Sequence, residues 1–240
     1  EYIAQTCNGD MRSALNKLEL VVNLGTDITN NSVNITLENV MDCSTVKMMN
    51  FDRGGDDGYS ILSAFHKSLR GSDADAAIHY LARLVKAGDI QGITRRLLCV
   101  ASEDVGLAVP QAITITEACV SAALQLGFPE ARIPLAQATI YLAQCPKSNS
   151  VISAIDLALA DLDSIETGDI PMHLKDAHYS GAAKLGRGLE YKYPHDYENN
   201  YVDQQYLPEP IKGRKYYNHG LNKNEKSFEQ YWKTLKNKNN

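Results

Sequence analysis

The sequence predicts an all-α protein. Three observations carry that expectation. Apolar residues recur at helical spacing through most of 59–168, glycine or proline closes each such stretch, and nowhere do apolar and polar residues alternate as in a strand. The connections are short, as in antiparallel helical hairpins packed into one core. A solenoid with a period of about 20 residues ranks second, because the helices share no repeated motif.

The first helix is predicted over 10–23. Asp10 is placed as its N-cap, Ala14, Leu15, Leu18, Val21 and Val22 at its apolar positions, and Gly25 as its stop. Thr26 to Asn34 is polar and reads as a loop. Thr36 is suited to cap a short helix from Leu37 to Cys43. Residues 50–58 hold three glycines and three aspartates and read as a linker.

Six helices are expected after it. Tyr59 to Leu69 turns Ile61, Leu62, Phe65 and Leu69 inward and ends at Gly71. Ser72-Asp73-Ala74-Asp75 resembles a capping box. It opens a helix with Ala77, Ile78, Leu81, Leu84 and Val85 inward, ending at Gly88. Ile90 to Val105 is expected as one helix with Ile93, Leu97, Leu98 and Ala101 inward and Gly106 at its end. Pro110 opens Gln111 to Leu126, and Gly127 closes it. Pro129 opens the next, with Pro134 in its first turns and its end near Gln144. Ser148 starts the sixth, which carries Ile152, Ile155, Leu159 and Leu162 to Gly168.

Beyond Pro171 the pattern changes. Nine of the thirteen tyrosines and the only tryptophan, Trp232, lie at or after Tyr179. A disordered tail has few aromatics, so this segment is expected to wrap irregularly over the helices with aromatic anchors. A short basic helix, Glu225 to Leu235, ends it.

The net charge of −5 hides an asymmetry. Residues 212–240 carry eight Lys/Arg against Glu225 and Glu229, a net +6, which leaves −11 for residues 1–211. A basic, aromatic tail invites nucleic acid, with Lys215, Tyr216 and Trp232 as candidate contacts; a solvated C-terminal helix is the competing reading and ranks first. Five scattered cysteines without a C-x-x-C pair indicate reduced thiols in a cytoplasmic protein. No run reaches the roughly 20 apolar residues of a membrane span, so no membrane association is expected. The chain opens without a methionine, which fits a fragment or a processed product.

Few side chains suggest chemistry. His66, His79, His173, His178, His195 and His219 show no metal spacing, so no metal is expected. Glu103-Asp104 suggests paired carboxylates, but neighbouring helical residues point about 100° apart, which argues against a shared site. Lys67, Arg70, Arg95 and Arg96 are candidates for contact with DNA phosphates or a partner. The alternative, which ranks first, pairs the basic groups here, His66 among them, with Glu103, Asp104 or a neighbouring subunit. No catalytic constellation and no phosphate-binding loop is present, so no catalysis is expected from this chain itself.

Several motifs carry a resemblance. Gly9-Asp10-Met11-Arg12-Ser13-Ala14-Leu15-Asn16 is similar to the sensor-2 motif of clamp-loader-type AAA+ ATPases. Ser63-Ala64-Phe65-His66-Lys67-Ser68-Leu69-Arg70-Gly71-Ser72-Asp73, Arg95-Arg96-Leu97, Ala101-Ser102-Glu103-Asp104-Val105-Gly106-Leu107-Ala108 and Cys145-Pro146-Lys147-Ser148-Asn149 resemble one family of that group. It is the replication-associated recombination ATPases (RarA, also called MgsA), related to the Werner-helicase-interacting ATPase. The run Lys175-Asp176-Ala177-His178-Tyr179 and Lys184-Leu185-Gly186-Arg187-Gly188 departs from the family pattern.

The resemblance implies that residues 1–58 are the remnant of an AAA+ lid with its linker. Residues 59–240 are then a C-terminal helical oligomerisation domain, with a helical core at 59–168 and an aromatic, basic segment at 169–240. It implies that Arg12 senses nucleotide phosphates in the full-length protein, where ATP and Mg are the cofactors; none is expected in this fragment. It implies a homotetramer, a DNA-dependent ATPase acting at stalled or damaged replication forks, and DNA and single-strand-binding protein as partners. Its place is the cytoplasm, associated with the nucleoid. Direct single-stranded DNA binding by the basic aromatic C-terminus is the alternative function.

Overall fold

The computed structural model describes residues 2–3, 11–24, 28–29, 32–33, 35–42, 56–176 and 188–238. In chain order its elements are α1 (Met11–Leu24), β1 (Ile28–Thr29), β2 (Ser32–Val33) and α2 (Leu37–Asp42). There follow α3 (Asp56–Arg70), α4 (Ala74–Lys86), α5 (Ile90–Val100), a π-helical turn (Ala101–Val105) and a 3-10 turn (Gly106–Ala108). Then come α6 (Ala112–Leu126), α7 (Arg132–Gln144), α8 (Ser150–Ser164) and, after an irregular segment, α9 (Lys223–Lys238). The fold is all-α. The only pairing between strands described is the two-rung antiparallel ladder of β1 and β2, inside the stretch read as a loop.

The core is built from α3 to α7. Phe65 and Leu69 of α3, Leu84 of α4, Ile93 and Leu97 of α5, and Leu135 and Leu142 of α7 are wholly buried. Each such side chain contributes about 2 kcal/mol of apolar burial, so this cluster is what holds the helices together. α3 packs on α4, α5 and α7; α6 packs on α7. The expected inward residues Ile61, Ala77, Leu81 and Ala101 are buried, while Leu62, Ile78 and Val85 pack against the cluster from its edge.

Helix boundaries depart from expectation in specific ways. Asp56, Asp57 and Gly58 form the first turn of α3 and are not linker. Asp73, not Ser72, caps α4, accepting from the backbone N–H of Ala76 at 2.9 Å. Ser72 takes a left-handed φ of 62° that closes α3, its N–H donating to Leu69 O. Asp89 caps α5 in the same way, on the Gly92 N–H at 3.0 Å. The single helix expected over 90–105 changes to π geometry at Ala101, where the N–H of Gly106 reaches back five residues to Ala101 O. Gly106 has φ +48°, and a Cβ there would stand 3.2 Å from Ser148 O, so the chain can make this turn only with glycine.

Pro110 and Pro129 lie in turns, and their helices begin at Ala112 and Arg132. α8 begins at Ser150 and stops at Ser164, inside the expected 148–168. Of the apolar residues the period gives this helix, Ile155, Leu159 and Leu162 are 51%, 51% and 64% exposed. α8 packs on the π turn and the 3-10 turn through other positions, so this stripe faces outward. In α1, Val21 is buried while Leu15, Leu18 and Val22 are exposed.

The segment from Ile165 to Asn222 is irregular where described, with four short 3-10 turns at Met172–Leu174, Pro194–Asp196, Glu198–Asn200 and Glu209–Ile211. α9 is longer than expected at both ends, and its earlier start is capped by Asn222, which accepts from the Glu225 N–H at 3.0 Å. Asp10, Gly25, Cys43 and most of the divergent run 175–188 lie outside the described residues.

Candidate functional site

The π turn is the junction on which the polar groups converge. Residues 63, 66, 67 and 70 share one face of α3 by their three- and four-residue spacing. That face lies along the π turn. Arg70 spreads its guanidinium over both carboxylates: Nη2 donates to Glu103 Oε1 at 2.6 Å, and Nε donates to Asp104 Oδ1. A planar fork with donors on separate nitrogens bridges two adjacent acids that an ammonium would meet one at a time. Glu103 and Asp104 therefore do share a site, contrary to the expectation from ideal helical geometry.

His66 lies beneath this pair and is 6% exposed. Its Nε2 is 2.8 Å from Arg70 Nη2 and 3.1 Å from Asp104 Oδ2. Burial pushes the ring pKa below its usual value, outweighing the pull of Asp104. The ring is thus neutral at pH 7. The Cys99 thiol donates to Glu103 Oε2 at 3.1 Å, and burial, helped by that acid, pushes its pKa up to about 11. It stays a protonated thiol rather than a nucleophile.

His66, Glu103 and Asp104 place one potential metal donor each within 4.8 Å of one another. Arg70 brings a cation onto both carboxylates and stands 2.8 Å from His66 Nε2, in the place a metal ion would have to take. Beside it opens a polar cleft of about 210 Å³ lined by Ser63, His66, Lys67, Arg70, Arg96 and Glu103.

A second polar cluster ties the C-terminal segment to the same junction. Ser148 N–H donates to Asp104 O at 2.7 Å, and its hydroxyl donates to Glu225 Oε2 at 2.6 Å. Glu225 is wholly buried and also accepts from the Tyr217 hydroxyl at 3.0 Å and from Asn222 Nδ2. Burial alone would raise its pKa. The hydrogen bonds from Ser148, Ser150, the Gly220 backbone and Asn222 together overcome that and hold it at about 2. Gly220 is required here by close approach, since a Cβ would fall 2.5 Å from Glu225 Oε2. Burial and the bond to Glu225 push Tyr217 up to about 12.

The third cluster is on α8. Arg214 grips Asp161 with Nε and Nη2, each at 2.7 Å, and the Tyr216 hydroxyl adds a bond at 2.9 Å. Lys147 caps the end of α7, donating to Leu142 O, Ala143 O and Cys145 O, and reaches Ser72 Oγ at 2.9 Å. Sequence reasoning missed Lys147, Ser148, Asp161 and Glu225. Lys147 and Ser148 sit in a motif that the sequence does display, but nothing local shows which distant groups they meet.

The candidate contact residues separate in space. Lys67, Arg70 and Arg96 come together around the cleft. Arg95 does not line it and bonds Gln91 O at 3.2 Å. Lys215 is exposed on the C-terminal segment next to Tyr216, and Trp232 on α9 meets Tyr201 and Tyr231 edge-on. Arg12 holds the second position of α1, and its side chain lies outside the described residues. Among the described residues no helix is long and apolar enough to cross a membrane.

Residues 71–236 match the family described as MgsA AAA+ ATPase C terminal, and residues 1–70 match the AAA C-terminal domain. The chain is 55% identical over 217 residues to replication-associated recombination protein A of Bacillus subtilis, covering 90% of this chain and 52% of that protein. The Escherichia coli K12 protein of the same name is 38% identical over 91% of this chain and 50% of its own length. ATPase WRNIP1 of Dictyostelium discoideum is 37% identical over 71% of this chain and 20% of its own. The chain thus spans about half the length of these bacterial relatives. It belongs to the MgsA AAA+ ATPase C-terminal family, the C-terminal part of the replication-associated recombination AAA+ ATPases.

Proposed function

We propose that this chain is the oligomerisation and interaction module of a DNA-dependent AAA+ ATPase that acts at stalled or damaged replication forks. The observation that carries this reading is the outward stripe of α8. Ile155, Leu159 and Leu162 recur at helical spacing and are 51–64% exposed. Subunit surfaces seldom leave such a stripe uncovered, and obligate interfaces resemble a domain core cut in half.

The occupant is a second copy of the chain. α8 offers no Lys or Arg to a phosphate backbone, and Asp161 is held by Arg214, so its apolar stripe is what it presents to a partner and suits a like apolar surface. The assembly is a homotetramer, as the family resemblance implies. ATP and Mg are handled in the rest of the full-length protein, with Arg12 as the sensor. DNA and single-strand-binding protein are the partners, and the cytoplasm, at the nucleoid, is the place of action.

Size-exclusion chromatography with light scattering tests this. A tetramer is expected, and Ile155→Asp with Leu159→Asp is expected to dissociate it while helicity is kept. A wild-type monomer at micromolar concentration overturns the reading. Arg12→Ala is expected to leave this chain folded and assembled and to impair ATP turnover of the full-length protein; normal turnover refutes the sensor role.

A further inference from the structure

We propose that the cleft between α3, α5 and the π turn is a phosphate seat that holds one phosphodiester of a nucleic-acid strand. The inference rests on the reading that the whole protein works on DNA, and it gives the C-terminal module a contact of its own. Its wall carries Lys67, Arg70 and Arg96 against the single carboxylate Glu103. Arg70 meets both Glu103 and Asp104, so one guanidinium charge stands against two carboxylates. Lys67 and Arg96 are left without a carboxylate partner among the described residues. His66, neutral at pH 7, leaves this balance unchanged.

With Arg70 shared between two carboxylates, Lys67 and Arg96 bring the group to a net +1 in a chain of net charge −5, which is not a generic basic face. They are complementary to one anion. The donor set suits a phosphate: a guanidinium fork from Arg96, an ammonium from Lys67 and the Ser63 hydroxyl. Arg70 is held rigid by its two acids, which fixes the wall of the seat before a ligand arrives and lowers the ordering cost of binding. At about 210 Å³ the cleft has room for one tetrahedral anion, not for a folded acidic peptide. Lys67 is exposed at its rim, so a strand can pass across the opening. A free phosphate offers the same chemistry, and the experiment separates the two.

The 240-residue chain and its Lys67→Ala/Arg96→Ala variant are titrated with a short labelled DNA strand at several salt concentrations. The same proteins are titrated with inorganic phosphate while the His66 ring resonance is followed. The variant is expected to lose about tenfold in strand affinity, and its log-affinity against log-salt slope to become shallower by about 1 for each lost phosphate contact. Phosphate is expected to shift the His66 resonance in the wild type and not in the variant. The pair Lys67→Arg/Arg96→Lys is expected to retain strand binding, which excludes a general folding defect. Unchanged affinity and slope in the alanine variant overturn the proposal. A phosphate response without a strand effect assigns the seat to a free phosphate and also overturns it, as does stronger competition by polyglutamate than by the strand. Light scattering on the same samples reports the assembly separately, so failure here is distinct from failure of the oligomer.

Discussion

The helical core and the C-terminal segment are held by opposite means. Between α3 and α7 the enclosed contacts are mostly apolar, with Phe65, Leu69, Leu97 and Leu135 fully buried. From Ile165 onward few apolar side chains are buried, chiefly Ile211 and Leu235. That segment is fastened by carboxylates, Asp161 to Arg214 and Tyr216, and Glu225 to Ser148, Tyr217 and Asn222. Apolar packing is spread over many small contacts and is indifferent to pH, whereas a carboxylate latch is concentrated at one residue and titrates. The difference predicts that the C-terminal segment can be released from a core that remains folded.

The largest effect is expected in the core. Phe65→Ala should cost about 4 kcal/mol and lower the midpoint of denaturant unfolding for the whole domain. A loss confined to the C-terminal segment would break the distinction. Next is Glu225→Ala, which strands Ser148, Asn222 and Tyr217 and should cost about 3 kcal/mol of docking. Limited proteolysis should then cut within 188–238 while 56–164 resists.

The pH dependence is smaller and sharpens the same contrast. Glu225 is held at about 2 against an ordinary 4.5, so its folded state is favoured by ionisation. That stability is complete above about pH 4.5 and declines as the pH falls toward 2. Trp232, on α9, should report the release by fluorescence in that window, and Glu225→Gln should reduce the dependence, leaving the part that Asp161 contributes. The smallest effect is expected from Asp161→Asn, because Arg214 is half exposed and solvent screens the pair. Faster amide exchange around Ile211 to Tyr216 should appear without a shift of the global unfolding midpoint.

Much of the core was legible in advance. The apolar periods at 61, 65 and 69 and at 77, 81 and 84 are buried as expected, because a helical repeat puts those residues on one side whatever they face. The caps Asp73 and Asp89 act within three residues, so they too can be read locally, though Ser72 shows that the exact cap depends on which residue takes the left-handed turn. The π turn was not legible. A one-residue change in hydrogen-bond register leaves no mark in composition, yet it places Glu103 and Asp104 where Arg70 reaches both. The stripe of α8 shows the limit of a period: it groups Ile155, Leu159 and Leu162 on one side without saying whether that side meets the core.

The sequence by itself determined the all-α class, most helix spans, the core faces of α3 to α5 and the family motifs, because these depend on periodicity and contacts within a few residues. Only the tertiary structure decided which cations are spent and which remain, since Arg70 meets Asp104 across 34 positions, Arg214 meets Asp161 across 53 and Ser148 meets Glu225 across 77. Such pairings arise from how whole helices pack. The charges of Lys67 and Arg96 are the same in sequence as that of Arg70; what sets them apart is that, among the described residues, neither forms an ion pair once α3 lies against the π turn.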